Sequence, residues 1–214
     1  MDSRKVGNQI IEAVSQSSTN VELLSSEYVS AQVGEELTEQ GGLAMIFALI
    51  MIMIYIVFRF QWKFSIGAVL ALIHDVLITL GIFSFFQITF DLAVLAAILA
   101  VVGYSLNDTI VIFDRIRENF RSMRRSETIE ILNASITQTI SRTIITSSTT
   151  LMVLLALYFM GGQSLSGFSV ALIIGVLIGT YSSIFVASTS VFYLYISTTD
   201  LLPSKREEVD DGMP

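Results

Sequence analysis

Asn107 and Asp108 stand side by side in GYSLNDTIVIFDRIREN, residues 103–119, where a long apolar run gives way to a burst of arginines. An aspartate carried to mid-bilayer costs on the order of 2.5–3.5 kcal/mol, so a group in that position pairs, titrates or lines a water path. His74 and Asp75 form a second polar pair inside another apolar run. Arg142 lies in a third, TQTISRTIITSSTT at 137–150, where nine of fourteen residues carry hydroxyls. A histidine within an apolar run is either a proton relay or a hydrogen-bonded structural residue, and the acid either pairs, titrates or makes a buried structural contact. With a single His, no Cys and no HExxH spacing, no metal site and no cofactor is expected. Disulfides and thiol catalysis are excluded on the same ground, and an intramembrane enzyme would require a nucleophile with its base or two facing acid motifs.

The elements that must position these residues follow from composition. A chain with 53% hydrophobic and 14% charged residues and a mean hydropathy of +0.71 is a polytopic, all-α membrane protein. Its charge is segregated: residues 1–40 carry seven acids and two bases, 41–196 seven and eight, and 197–214 five and two. The net −7 thus belongs to the aqueous ends, and no basic stripe exists to neutralise the phosphates of a nucleic acid. Hydrocarbon about 30 Å thick needs roughly 20 apolar residues per helix. Five stretches meet or approach that length, at 41–58, 64–86, 90–113, 140–160 and 165–196. The last exceeds one crossing, so it must tilt, break or project.

Lysine and arginine accumulate on the cytoplasmic side of membrane proteins. Arg59 and Lys63 occupy the first loop and Arg115, Arg117, Arg121, Arg124 and Arg125 the third, whereas the second and fourth hold no base. The amino end is therefore expected outside and the carboxyl end in the cytoplasm. Residues 1–40 are polar, with one amphipathic run around Val6, Ile10, Ile11 and Val14, and they read as the remnant of an external domain. An outside amino end without a preceding span or signal is hard to insert. The expectation is a carboxyl-terminal part of a longer protein. The charged loop 114–138 alternates with Ile116, Phe120, Met123, Ile129 and Leu132, as short amphipathic surface helices do. Residues 197–214 are an acidic cytoplasmic tail.

Helix rise converts position into depth. Asp108 lies roughly 9 Å inside the cytoplasmic edge and Arg142 roughly 7 Å, so a charged pair between the third and fourth spans is expected. His74 and Asp75 sit some 17 Å deep and diverge by about 100°, so one is expected to face the interior and the other elsewhere. The hydroxyls of 137–150 fit either a hydrated interior or close helix packing. Gly175 and Gly179 form a GxxxG that permits close helix approach.

The segment 103–119 resembles the signature of the SecF family of protein-export membrane subunits. Arg59-Phe60, His74-Asp75-Val76, the alanines within 92–99 and Ser141-Arg142-Thr143 through Thr150 are similar in order and spacing, over about 28–196. A departure is Ala31-Gln32 before Val33-Gly34, where the family usually has Gly-Pro. The resemblance implies a five-helix bundle of the resistance-nodulation-division type, lacking the family's first span and most of its external domain. It implies a multi-pass protein of the cytoplasmic (inner) membrane that uses the proton-motive force to assist translocation of unfolded preproteins. The implied partners are SecD, the SecYEG channel, SecA, YajC, protons and the lipid bilayer. Carried onto this chain, the family's intramembrane acid is Asp108 and its arginine Arg142, with Asn107, Asp75 and His74 along the proton pathway. The alternatives are a proton-driven exporter of small molecules or lipids from the same superfamily, and a passive scaffold.

Overall fold

The computed structural model describes residues 12–13, 31–60, 62–123, 125–194 and 196, the backbone alone for 31–38. The amphipathic run at Val6, Ile10, Ile11 and Val14 and the acidic tail 197–214 lie outside the described residues. The chain divides into two compact units, Met1–Leu43 and Ala44–Pro214. In the first, the backbone is helical from Ala31.

Long apolar runs free of proline satisfy their backbone within themselves, which hydrocarbon demands, and the result is helix after helix. These are α1 (Ala31–Arg59), α2 (Trp62–Phe85), α3 (Leu92–Ser122), α4 (Thr128–Met160) and α5 (Gln163–Ser182). A π-helical turn (Ser183–Ala187) joins α5 to α6 (Ser188–Tyr193), which together complete the last crossing. Among the described residues, five stretches are long and apolar enough to span a membrane: Glu39–Arg59, Trp62–Phe85, Leu92–Ser122, Thr128–Met160 and Gln163–Tyr193. No strand occurs among the described residues.

Helix ends explain the connections. Asp91 caps α3, its carboxylate accepting from the Val94 N–H at 2.8 Å, a contact worth about 1 kcal/mol. Gly162 begins α5 at φ 75° and ψ −180°, a region open in practice to glycine alone. The charged segment 114–138 is helical through most of its length, but its helices are the ends of α3 and α4, which stop at Ser122 and start again at Thr128. The reason is packing: Ile116, Phe120, Ile131 and Leu132 bury against one another, so extending the two spans covers more apolar surface than bending away. The overlong last span is interrupted by the π-turn, a distortion that spaces side chains unlike an α-helix and recurs at functional sites.

Two apolar clusters fill the bundle of the second unit. One, towards the arginine-rich end, gathers Phe64, Ala68 and Ala71 of α2, Ile112, Phe113 and Ile116 of α3, and Ile184, Ala187 and Val191 of the last crossing. The Phe64 and Phe113 rings meet edge-on there, 5.0 Å between centroids. The other cluster holds Leu72, Val76 and Phe83 with Val94, Ala97, Ile98, Val102 and Ala171. Between these sets, in chain order on α3 and on the last crossing, fall the buried polar residues Ser105, Asp108, Thr109, Ser182 and Ser183, and Asp75 of α2, set between Leu72 and Val76, joins them through its hydrogen bond to Ser105. A polar layer thus lies between two oily ones.

Close approach of α5 to α3 sets the thickness of that layer. A Cβ at Gly167 would lie 3.1 Å from Val94 Cγ2, one at Gly175 would collide with Val101, and one at Gly179 would sit 3.0 Å from Ser105 Cβ. With Ala171, fully buried, these form a stripe of small residues every fourth position along α5, the pattern that lets backbones approach in lipid. Gly175→Val should therefore lower stability by about 1–3 kcal/mol through overpacking. Gly81→Ala, whose new Cβ meets nothing within 4 Å, should be neutral or gain about 0.5–1 kcal/mol. Thermal unfolding of the two variants in one detergent checks the contrast.

Candidate functional site

The two acids of the polar layer are both buried and are solvated differently by the protein. Asp75 on α2 is 0% exposed. Its Oδ2 accepts from the Ser105 hydroxyl of α3 at 2.5 Å and its Oδ1 lies 3.1 Å from His74 Nδ1, so both oxygens have partners. Asp108 on α3 is 4% exposed, and its Oδ2 has no hydrogen-bond partner. Buried polar oxygens are nearly always satisfied, and a carboxylate left incomplete in a dry layer is costly. Four other buried oxygens share that state: Tyr104 Oη, Thr109 Oγ1, Thr143 Oγ1 and Ser188 Oγ.

Arg142 is the cation that acts on Asp108 through space, and the Ser147 hydroxyl of α4 faces the same carboxyl. The close charged pair expected between Asp108 and Arg142 is not formed: no ion pair joins them. Depth was legible from helix rise, and rotation about the helix axis was not. α4 turns Ser135, Thr139, Thr143 and Ser147 towards the bundle, every fourth residue, and Arg142, one position before Thr143, is carried about 100° round to an exposed flank. Asn107 is likewise exposed, rotated away from its neighbour Asp108, and does not join the buried layer.

His74 and Asp75 do divide as adjacent helical residues must, the acid inward and the imidazole 29% exposed by its side chain. The ring nonetheless folds back to Asp75, which spacing alone did not indicate. Thr79 donates to the Asp75 carbonyl at 2.8 Å and so satisfies itself within α2.

Hydroxyls tie α4 to α5 beside Asp108. Thr180 donates to the Val176 carbonyl at 2.7 Å, and Ser147 and Thr180 lie 2.7 Å apart. Each hydroxyl holds one proton, and the acceptors within reach are the Val176 carbonyl, the other hydroxyl and the Asp108 carboxyl. Ser147 can donate to Thr180 while Thr180 donates to Val176, or donate to an ionised Asp108 while Thr180 turns its proton to Ser147. The Ser147–Thr180 contact persists in both arrangements, and only its donor changes.

Three residues of this geometry carry no distinct signal in the sequence. Ser105 could have been singled out only by noting that it lies three positions before Asp108, hence on the same helix face. Gly167 extends the small stripe by two further turns beyond the GxxxG. Asn119, the last residue of the 103–119 segment, is buried and its Nδ2 donates to Ser135 Oγ at 2.9 Å and Gln138 Oε1 at 3.0 Å, clamping α3 to α4 near the arginine-rich end.

Residues 9–197 match the family described as protein export membrane protein SecD/SecF, C-terminal. The chain belongs to that family. It is 52% identical over 212 residues to the protein translocase subunit SecF of Pseudomonas aeruginosa, covering 98% of this chain and 69% of that one. With the SecF of Vibrio alginolyticus the identity is 54% over 204 residues, 95% of this chain and 65% of the other. The crystal structure of SecDF, a translocon-associated membrane protein from Thermus thermophilus, is similar with a TM-score of 0.79 and 42% identity, over 87% of this chain and 26% of that chain. A super-membrane-facing form of SecDF is similar with a TM-score of 0.73 and 38% identity, over 90% of this chain and 26% of that one. This SecD/SecF-family chain is a multi-pass membrane protein, and it spans about two thirds of the curated relatives and a quarter of the solved chains.

Replacing the clamp tests how the site is held. Asn119→Ala would leave the buried Ser135 Oγ without its Nδ2 donor and should cost about 1–3 kcal/mol. Asn119→Asp, which loses the donor and adds a charge, should cost more. Melting temperatures in detergent, with labels on α3 and α4 to follow their separation, give the readout.

Proposed function

We propose that this chain is the membrane portion of a SecF-type subunit which, with SecD, draws on the proton gradient to assist passage of unfolded preproteins across the cell membrane. The observation that carries this reading is the unequal solvation of the two buried acids. Asp75 has a partner for each oxygen, while Asp108 has an oxygen with none. A group so placed exchanges its proton at the lowest structural cost in the layer.

The proposed cycle follows from that bookkeeping. Protonated Asp108 leaves Ser147 free to donate to Thr180. Ionised Asp108 takes the Ser147 proton while Thr180 donates to Ser147 in turn, and the carboxylate draws the Arg142 guanidinium inward, closing the pair that is open here, so that α4 shifts against α3. Proton affinity depends on the separation of acid and guanidinium, so movement and proton release are linked. One charge crossing a potential of 100 mV is worth about 2.3 kcal/mol, roughly fifty-fold in an equilibrium constant, enough to drive such a shift. Thr109, Thr143 and Ser188, buried without partners, line the arginine-rich side of Asp108 and supply the way out. The arginine-bearing loops face the cytoplasm in this reading and the amino end faces outward.

The exposed flank of α4 supports a helical partner. Arg142 and Ser141, with Ile144, Ile145, Ser148, Thr149, Met152 and Val153, form an outward face, and a guanidinium facing lipid costs on the order of 2.5–3.5 kcal/mol. SecD helices against this face would remove that cost. SecYEG, SecA and YajC would meet the assembled pair rather than this layer.

Asp108→Asn in the full-length subunit, reconstituted with SecD and the channel in vesicles, should abolish the gradient-dependent part of preprotein translocation. Copurification with SecD and the gradient-independent part should persist. Full stimulation by a proton gradient in that variant would contradict the proposal.

A further inference from the structure

The hydrogen bond between Asp75 and Ser105 joins two helices at the centre of the polar layer, and nothing in the cycle above uses it. Asp75 is 0% and Ser105 1% exposed, so the bond is dry. On one side of it stands His74, 29% exposed by its side chain and bonded to the other Asp75 oxygen. On the other side, three residues along α3 and on the same face, stands Asp108 with its partnerless Oδ2. The titratable groups near this bond are thus His74 from α2, and Tyr104 and Asp108 from α3. α5, which packs over it at Gly179, bears no charged residue along its whole length.

We infer that Ser105 is a proton relay between Asp75 and Asp108, loaded from His74. This rests on the reading of Asp108 as the exchanging acid and extends it to the route by which the proton arrives. A serine hydroxyl is suited to the task because it holds one donor and two acceptor sites at once. In the step, protonated Asp75 gives its proton to Ser105 Oγ as the serine's own proton passes to the Asp108 carboxylate, directly or through one water. One O–H bond breaks and one forms at the hydroxyl, which ends as it began. Asp75 becomes the carboxylate, Asp108 the acid, and His74 protonates Asp75 again. Rotation of the hydroxyl back to Asp75 restores the arrangement seen here, with Ser105 donating to Asp75 Oδ2.

Direction follows from rise along the helix. Ser105 lies about 4.5 Å from Asp108 towards the 86–91 turn, away from the arginine-rich end. The partnerless hydroxyls of Thr143 and Ser188 lie on the opposite side of Asp108, so entry and exit are separated by the exchanging acid. Gly179 is part of the same device. A Cβ there would come within 3.1 Å of Ser105 Oγ and 3.6 Å of Asp75 Oδ2, enough to displace the hydroxyl.

The test uses the full-length subunit with SecD and the channel in vesicles under an imposed proton gradient. Ser105→Ala removes one oxygen and should slow gradient-driven translocation by about a hundred-fold, the lower end of the range for a lost proton-transfer group. The solvent deuterium isotope effect should rise, because proton delivery becomes limiting. Ser105→Thr, which keeps the hydroxyl, should restore both rate and isotope effect, and Asp75→Asn should match Ser105→Ala. A wild-type rate and isotope effect in Ser105→Ala, with Asp108→Asn inactive, would overturn the relay and leave the reading of Asp108 intact. Loss of rate in both Ser105 variants with an unchanged isotope effect would mean a packing role and would also overturn it. Wild-type behaviour of Asp108→Asn would remove the reading on which the relay rests.

Discussion

A carboxylate does not sit in hydrocarbon without compensation, and the architecture of this bundle is arranged around two of them. Each costs on the order of 2.5–3.5 kcal/mol at mid-bilayer before any partner is supplied. A hydrogen bond to a charged group returns about 1.5–3 kcal/mol. Asp75, held by Ser105 and His74, is therefore close to balanced, and Asp108, with one oxygen empty, is not. The apolar clusters on either side keep general solvent from levelling the difference. Asp108 is consequently the place in the fold where adding or removing a proton changes the most.

Polar contacts between membrane helices contribute little stability on average, about 0.6 kcal/mol each. The bundle is held instead by close contact along the small-residue stripe of α5 and by the aromatic and aliphatic packing of its clusters. That division of labour suits a moving part. Packing keeps α2, α3 and α5 together as a frame, while hydroxyl bonds such as Ser147 to Thr180 can be exchanged at small cost. α4 turns Ser135, Thr139, Thr143 and Ser147 to the frame, meets α3 at the Asn119 clamp, and packs Ile131 and Leu132 against Ile116 and Phe120 at its arginine-rich end. The π-turn at Ser183–Ala187, where the last crossing passes the polar layer, marks a second point of departure from regular helix.

Much of this was legible in the residues. Five apolar runs fix five crossings because hydrocarbon leaves helix as the economical backbone, and an acid within such a run announces itself by its cost. The small residues of α5 also declare their use, since only close approach rewards them. What did not come through was rotation. Rise along an axis sets the depth of Asp108 and Arg142 from one chain alone, yet which flank of α4 meets α3 depends on the hydroxyls at 135, 139, 143 and 147 and their neighbours. Hence Arg142 was expected in contact and stands on the flank, and Asn107 was grouped with Asp108 and faces away. Ser105 was missed for another reason. A serine in a membrane helix is common, and its meaning comes from Asp75, thirty residues away in sequence.

Protonation of Asp108 in step with the gradient is the claim on which the account turns, and infrared difference spectroscopy reads it directly. With the full-length subunit and SecD in sealed vesicles, imposing and collapsing a proton gradient should raise and remove a carboxylic acid band that is absent from Asp108→Asn. The same band at constant intensity with the gradient on and off, or its persistence in Asp108→Asn, would contradict the account.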